Sequence, residues 1–415
     1  MRGMDAALAA AGLAPLARHA WVEVSLPALA GNVAALRRMA GPATAVAAVV
    51  KADAYGHGIE VTSRAARLAG ATWLSVATLD EALLLRRHAD TGRILVNYPA
   101  PKTRWVDAHA AGIDVVIGDV ASAVEIAGMG AGSPRVHLEI DTGMGRGGVL
   151  PEDAVTAASI LRAAGIELSG TWSHLAAPED PVVTAGQVGA FEEVLAKLRA
   201  DGIDPGLRHL DASGGILHGA PAYDLVRAGL ALYGVLPPEL AGSDGPAATL
   251  RPCLAVRAAP VRIADVPAGT PIGYGGTFVT SRLSRIATVP IGYADGWTRN
   301  AGPRTVAVAG DQVVPVVGRI SSDSMTVDLT GTTVTADDPL TLLEAAPVGP
   351  VSADAVAGVR STITWEVLQT LSHRLARVYL DGRGRPVAIR RHEAAGPEYT
   401  EGFEAAATGT EPEAG

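Results

Sequence analysis

Between residues 45 and 227 eight short apolar runs recur, each separated from the next by enough chain for a helix. They lie at 45–51, 72–77, 93–97, 114–117, 135–140, 167–172, 207–211 and 224–227. Near-continuous apolar runs, rather than alternating ones, are what parallel strands need when helices cover both faces of their sheet. Eight of them in βα alternation predict an α/β fold, a TIM-like (β/α)8 barrel. A doubly wound open sheet shares this periodicity and is the competing arrangement.

The pattern changes on both sides of this block. A strand at 21–25 and a helix at 26–39 precede it, so the barrel domain is expected over 21–236, unless its first strand joins the second domain. Residues 237–253, rich in Pro, Gly, Ser and Asp, read as a linker. Short runs at 255–262, 284–290, 305–308, 312–317 and 325–329 then recur without long helical patterns. They predict a smaller, mainly antiparallel β domain over 254–390, with one amphipathic helix at 364–373. Residues 1–20 read as a short helical or disordered extension rather than a secretory leader, because Asp5 interrupts the positive region that a leader carries. The polar stretch 391–415 is expected to be disordered.

Composition narrows the function. A chain of 415 residues suggests two or three domains, and 48% hydrophobic against 19% charged residues excludes a mainly disordered one. A net charge of −9 argues against a nucleic-acid partner, which would need a basic excess. The single cysteine, Cys253, allows no internal disulfide and fits a reducing cytoplasm. No apolar run is long enough to span a membrane. No metal site is expected.

Barrel enzymes work at the C-terminal ends of their strands, so the side chains there carry the argument. Lys51 closes the run Val46-Ala-Ala-Val-Val-Lys51. Taken alone it reads as a lysine whose ammonium escapes to water. Desolvated, it becomes a nucleophilic amine suited to Schiff-base formation. Tyr55 and two glycines follow in a tight loop. The fifth run leads into Asp141-Thr-Gly-Met-Gly-Arg146, and the sixth ends in Trp172-Ser-His174. The seventh ends in Asp211-Ala-Ser213, and the eighth in Val226-Arg227-Ala-Gly229-Leu230. Each is bland alone. Together they place Lys, Arg, His, Ser and Arg on one barrel mouth, with glycine amides near Ser213 and Gly229 suited to a phosphate.

Six ordered motifs make the chain resemble the alanine racemases, fold-type-III pyridoxal-phosphate enzymes with an N-terminal barrel and a C-terminal β domain. They are Ala48-Val-Val-Lys-Ala-Asp-Ala-Tyr-Gly-His-Gly58, Asp141-Thr-Gly-Met-Gly-Arg146, Val226-Arg-Ala-Gly-Leu-Ala-Leu-Tyr-Gly234, Gly273-Tyr-Gly-Gly-Thr-Phe278, Ile291-Gly-Tyr-Ala-Asp-Gly-Trp297 and Val317-Gly-Arg-Ile320. The resemblance implies that Lys51 holds pyridoxal 5'-phosphate and serves as one acid/base. It implies that Tyr274, from the other subunit of a homodimer, is the opposed base. Arg227 would contact the pyridine nitrogen, and His174 would flank the ring. Tyr55, Ser213, Gly229, Leu230 and Tyr379 would hold the phosphate. Arg146, Tyr293 and Ser322 would line the substrate pocket. The implied reaction is the interconversion of L- and D-alanine, supplying D-alanine for the bacterial wall.

Several positions depart from the pattern. Ser322 stands where a methionine often shapes the pocket, and Glu139 where many members carry a carbamylated lysine beside the active-site arginine. Ala212, Gly147, Trp365 and Ala376 replace a common asparagine, leucine, tyrosine and proline. All of these spare the proposed chemical residues. They leave open a racemase for serine or another amino acid, a pyridoxal-phosphate-binding homologue without turnover, or a decarboxylase of the same fold.

Overall fold

The computed structural model describes residues 2–237, 240, 245–392, 394 and 396–410. Most of the expected linker's first half, 238–239 and 241–244, and the end of the expected tail lie outside the described residues. The chain divides into two compact units.

The strand at Ala20–Ser25 (β1) precedes the eight that form the sheet of one unit, residues 33–52 and 70–232. These are β2 (Ala45–Val49), β3 (Trp73–Val76), β4 (Arg93–Val96), β5 (Asp114–Ile117), β6 (Arg135–Glu139), β7 (Leu168–Trp172), β8 (Leu207–His209) and β9 (Leu225–Ala228). Successive strands from β2 to β8 pair in parallel, and β9 pairs in parallel with β2. Between β8 and β9 the amide of Asp224 reaches the carbonyl of Arg208, and that of Arg227 the carbonyl of Asp211, each at 3.0 Å. Those bonds bring the ends of the sheet together as a barrel, which excludes the open doubly wound arrangement. Each expected run coincides with its strand to within two residues. Ala47, Trp73, Leu95, Val116, Trp172 and Leu225 pack as a buried cluster. Side-chain caps start the covering helices where the sequence places them. Thr78 and Glu81 form a reciprocal capping box ahead of Leu79–Arg87, and Asp180 caps Pro181–Ala200 with proline in the first turn.

The other unit comprises residues 1–32, 53–69 and 233–415. Here β1 pairs antiparallel with Leu254–Ala258 and parallel with Ala376–Leu380, in a mainly antiparallel eleven-stranded sheet. The first strand therefore belongs to this sheet and not to the barrel. The run expected at 255–262 is two strands, Leu254–Ala258 and Arg262–Val266, because Pro260 between them has no amide to continue a ladder. The helix expected at 364–373 ends at Gln369, and a second helix, Ala353–Arg360, precedes it with Ser352 as its cap.

The expectation of a disordered 391–415 is corrected. Glu398–Tyr399 adds a strand to Pro386–Arg390, and Phe403–Thr408 is a helix that buries Phe403, Ala406 and Ala407. Arg64 lies over the rings of Tyr399 and Phe403 at 4.7 and 5.1 Å and pairs with Glu404 at 3.0 Å. At the other terminus Arg2–Ala10 is a helix, and Leu8, Leu13 and Leu16 pack with Trp21, Val378 and Ile389.

Candidate active site

Lys51 follows β2, whose course continues through Val50, the amide of which bonds the Ser75 carbonyl at 2.8 Å. Burial lowers the pKa of its ammonium, as does the charge of Arg146, against an opposing pull from Glu81. The next four residues, Ala52 to Tyr55, all have φ between 51° and 55°. They form one turn of left-handed helix, which costs L-residues roughly 1–2 kcal/mol each. Local bonds hold it. Ala52 N donates to Glu81 Oε1 at 2.6 Å, and the Asp53 carbonyl accepts from Gly58 N at 2.9 Å. Asp53 Oδ1 accepts from Ile59 N at 2.9 Å, while Oδ2 lies 3.1 Å from Arg390 and 3.3 Å from His373. His57 Nδ1 donates to the carbonyls of Ala54 and Tyr55 at 3.0 Å.

Within the barrel unit the other strand ends bring further cations into one field. Arg146 follows a loop in which Asp141 Oδ1 accepts from the amides of Gly143, Met144 and Gly145 at 2.9–3.0 Å. Its guanidinium lies 3.9 Å from Glu139 and 5.9 Å from the centre of the Tyr98 ring. Burial raises the Glu139 pKa, and the charges of Arg146 and Arg227 oppose that rise. His174, after β7, is pushed down to about 3 by burial and then by Arg227, Arg146 and Lys51. It is therefore neutral at physiological pH. Arg227, on β9, is buried, which lowers it to about 10 and leaves it a cation. It donates to the carbonyls of Ser173 and Leu210 at 2.9 and 3.1 Å and to His174 Nδ1 at 3.2 Å.

Ser213 Oγ accepts from the amides of Gly229 and Ala231 at 2.9 and 3.1 Å. Both lone pairs are thus engaged, and the hydroxyl proton is what Ser213 has left to donate. The Gly229 amide is thus bonded to the Ser213 hydroxyl.

Five expected site residues belong to the other unit. Tyr55 is buried, its phenol pushed up to about 12, with its ring 5.1 Å from that of Tyr233. Tyr379 is fully buried and donates its one hydroxyl proton to the His57 carbonyl at 2.8 Å. That bond ties Tyr379 to the loop after Lys51. Tyr274 is 65% exposed, with the Arg299 guanidinium 5.6 Å from its ring centre. Tyr293 is also exposed, and its amide bonds the Ser321 carbonyl at 3.0 Å. The next amide, Ala294, bonds the carbonyl of half-buried Ser322 at 2.9 Å, which joins Tyr293 and Ser322 on adjacent backbones.

Sequence reasoning missed the polar residues inside the barrel strands: Asp114, His137 and His209, each fully buried. It also missed Gln187, which joins Thr142 Oγ1, the His174 carbonyl and the Ala176 amide at 2.8–3.2 Å. The available signal was a charged or imidazole side chain within an otherwise apolar parallel strand.

Two family models match the chain: the alanine racemase N-terminal domain over residues 24–237 and the alanine racemase C-terminal domain over 253–379. The alanine racemase of Beutenbergia cavernae is 38% identical over 371 residues, covering 87% of this chain and 97% of that protein. That of Thermobifida fusca is 36% identical, covering 88% and 99%. Among solved structures, alanine racemase from D-cycloserine-producing Streptomyces lavendulae matches with a TM-score of 0.80 at 36% identity, covering 88% of this chain and 98% of that one. The Bacillus anthracis alanine racemase with bound L-Ala-P matches with a TM-score of 0.84 at 32% identity, covering 91% and 99%. With both its barrel and its β domain accounted for in one order and at nearly full length, the chain belongs to the alanine racemase family.

Proposed function

We propose that this protein is a pyridoxal-phosphate-dependent racemase that interconverts L- and D-alanine, working as a cytoplasmic homodimer and supplying D-alanine for a bacterial cell wall. One observation carries the reading. Arg146 acts on Lys51 and on Arg227, all three act on His174 at the strand ends, with Glu139, Glu81, Asp141 and Asp211 the nearby carboxylates, and burial holds the Lys51 amine below its ordinary pKa. Three cations gathered at the strand ends suit a phosphorylated, phenolate-bearing aldehyde. Ser213, with a proton to give and both lone pairs engaged, suits its phosphate.

When bound, pyridoxal phosphate supplies the electron sink that makes a substrate Cα–H acidic. The protein supplies the rest. Lys51 binds the cofactor and holds a proton at Nζ on one face of the substrate. Arg227 stays cationic and donates to the pyridine nitrogen without protonating it, because a guanidinium hardly releases a proton. His174, neutral, packs beside the ring. Tyr55, Ser213, Gly229, Leu230 and Tyr379 hold the phosphate. Arg146, oriented by Glu139, meets the substrate carboxylate. The Tyr274 hydroxyl is the opposed base, and its exposure in the single chain supports its use by a second copy. Inversion needs a proton removed on one face and delivered on the other, which one base cannot do without moving. Tyr293 and Ser322 bound the side-chain pocket. No helix among the described residues is long and apolar enough to cross a membrane.

The test is to incubate the purified protein, loaded with pyridoxal phosphate, with L-alanine, L-serine and larger L-amino acids, and to separate the products on a chiral column. D-alanine forming fastest supports the reading. Preference for serine would make Ser322 the specificity residue of a different racemase, and no D-product from any substrate would overturn racemisation.

A further inference from the structure

Barrel interiors are ordinarily filled by branched apolar side chains. In this barrel four strands, β5, β6, β8 and β9, carry a polar column instead. Arg227 Nη1 lies 2.8 Å from His209 Nδ1, His209 Nε2 lies 2.9 Å from His137 Nδ1, and His137 Nε2 lies 3.4 Å from Asp114 Oδ1. The four residues are no more than 3% exposed. Asp114 is also paired with Arg93 and with Arg135, at 2.5 and 3.3 Å.

The protons in this column can run in only one direction. A guanidinium donates and never accepts, so His209 Nδ1 must offer a lone pair. The His209 proton is then on Nε2 and points at His137 Nδ1, which must accept in turn. The His137 proton is left on Nε2, facing the Asp114 carboxylate. Reversing or doubly protonating either ring would set two donors against each other within 3 Å. Neighbouring rings hold the rotamers. Trp172 lies parallel to His209, 5° between planes and 5.7 Å between centres, and the Arg227 guanidinium rests 4.5 Å from the same indole. Trp73 meets His137 edge to face at 5.7 Å.

We propose that His209 and His137 are positioning residues for Arg227, a column facing Asp114 that fixes both imidazoles as neutral Nε2–H tautomers and holds the guanidinium as an oriented donor. Burying two imidazoles and an ion pair costs stability that apolar side chains would not. Orientation of Arg227 is the return, because its contacts to the Ser173 and Leu210 carbonyls fix only Nη2, and His209 fixes Nη1. The electrostatics agree. Burial, the Arg227 charge and then His137 hold His209 well below its ordinary pKa. Burial also lowers His137, with Asp114 opposing and the charges of Arg93 and Arg227 reinforcing the fall. Burial alone would raise Asp114, but the nearby His137 ring and the hydrogen-bonded Arg93 outweigh it and hold the carboxylate low.

The inference rests on the reading of Arg227 as the partner of the pyridine nitrogen, and the test separates the two. Long-range proton–nitrogen NMR of the ¹⁵N-histidine-labelled full chain, with and without pyridoxal phosphate, reports each tautomer directly. Expected are two Nε2–H rings that do not titrate between about pH 5 and 9. An Nδ1–H ring, or titration of either histidine in that range, overturns the column. In the holoenzyme, His209→Leu is expected to lower kcat about tenfold or more with little change in KM. It should also move the bound cofactor's absorption band and its pH dependence. His209→Asn, whose carbonyl can still accept from Arg227, should restore most of both. A His209→Leu enzyme with a lower Tm but unchanged kcat, band and pH profile would show the column to be merely structural. If Arg227→Lys also leaves the band unmoved, it is the assignment of Arg227 that fails, and the proposal with it.

Discussion

At the scale of single residues the barrel mouth is governed by burial acting on charge. Asp211 is the sharpest case. It is 1% exposed, neither carboxylate oxygen has a hydrogen-bond partner, and burial pushes it up to about 7 against the opposing charge of Arg227. Because folding raises this group's proton affinity, the folded state is least penalised where the carboxyl is protonated in both states. The penalty grows as pH rises from about 4 to about 7 and is complete above that, with an upper bound of roughly 4 kcal/mol. Asp211→Asn is therefore expected to stabilise the protein by about 1–3 kcal/mol at pH 8 and hardly at pH 4, measured by urea unfolding at both. Equal effects at the two pH values would contradict this. Glu139 poses a different test. It lies beside Arg146, so Glu139→Gln should keep the fold but lower kcat/KM about tenfold, mainly through KM, in steady-state assays. Unchanged kinetics would remove its role in orienting Arg146. The positions of Lys51 after β2 and of Arg227 on β9 were legible in the sequence because each falls at or near the end of an apolar run. The histidine column was not, since its meaning is in cross-strand partners.

At the scale of elements the distinctive piece is the left-handed turn after Lys51. It explains why small residues follow the lysine: Ala52 and Ala54 tolerate φ of 51° and 52° where branched side chains would not. Ala52→Gly is expected to be neutral or to stabilise by up to about 1 kcal/mol, and Ala52→Val to destabilise by about 2 kcal/mol, read by thermal unfolding. If valine is tolerated, the turn is not constrained as described. The parallel strands were readable because burial on both faces writes a continuous apolar run. The β-domain strands were harder to bound. Pro260 splits one of them, and Leu340–Leu343 pairs with Leu254–Ala258 from a distant part of the sequence, which local pattern does not encode.

At the scale of the whole molecule, the terminal segments are part of the β-domain unit. Phe403 is 1% exposed and its helix packs on the segment that carries Arg64. Phe403→Ala should destabilise this unit by about 3 kcal/mol, as a lower denaturation midpoint, while leaving kcat per folded molecule unchanged. A lower kcat at unchanged stability would instead tie the tail to the chemistry. The polar, Ala- and Gly-rich composition hid this helix, because its buried face is one phenylalanine and two alanines rather than a long apolar stripe. The account as a whole claims two bases, Lys51 and the Tyr274 of a second copy, acting on opposite faces of alanine. Proton NMR in D₂O of Tyr274→Phe, loaded with pyridoxal phosphate and given each alanine enantiomer separately, tests it most directly. The account predicts retained cofactor binding, interconversion reduced by at least about a hundredfold, and α-proton exchange surviving for one enantiomer only. Undiminished interconversion, or exchange abolished for both enantiomers, would contradict it.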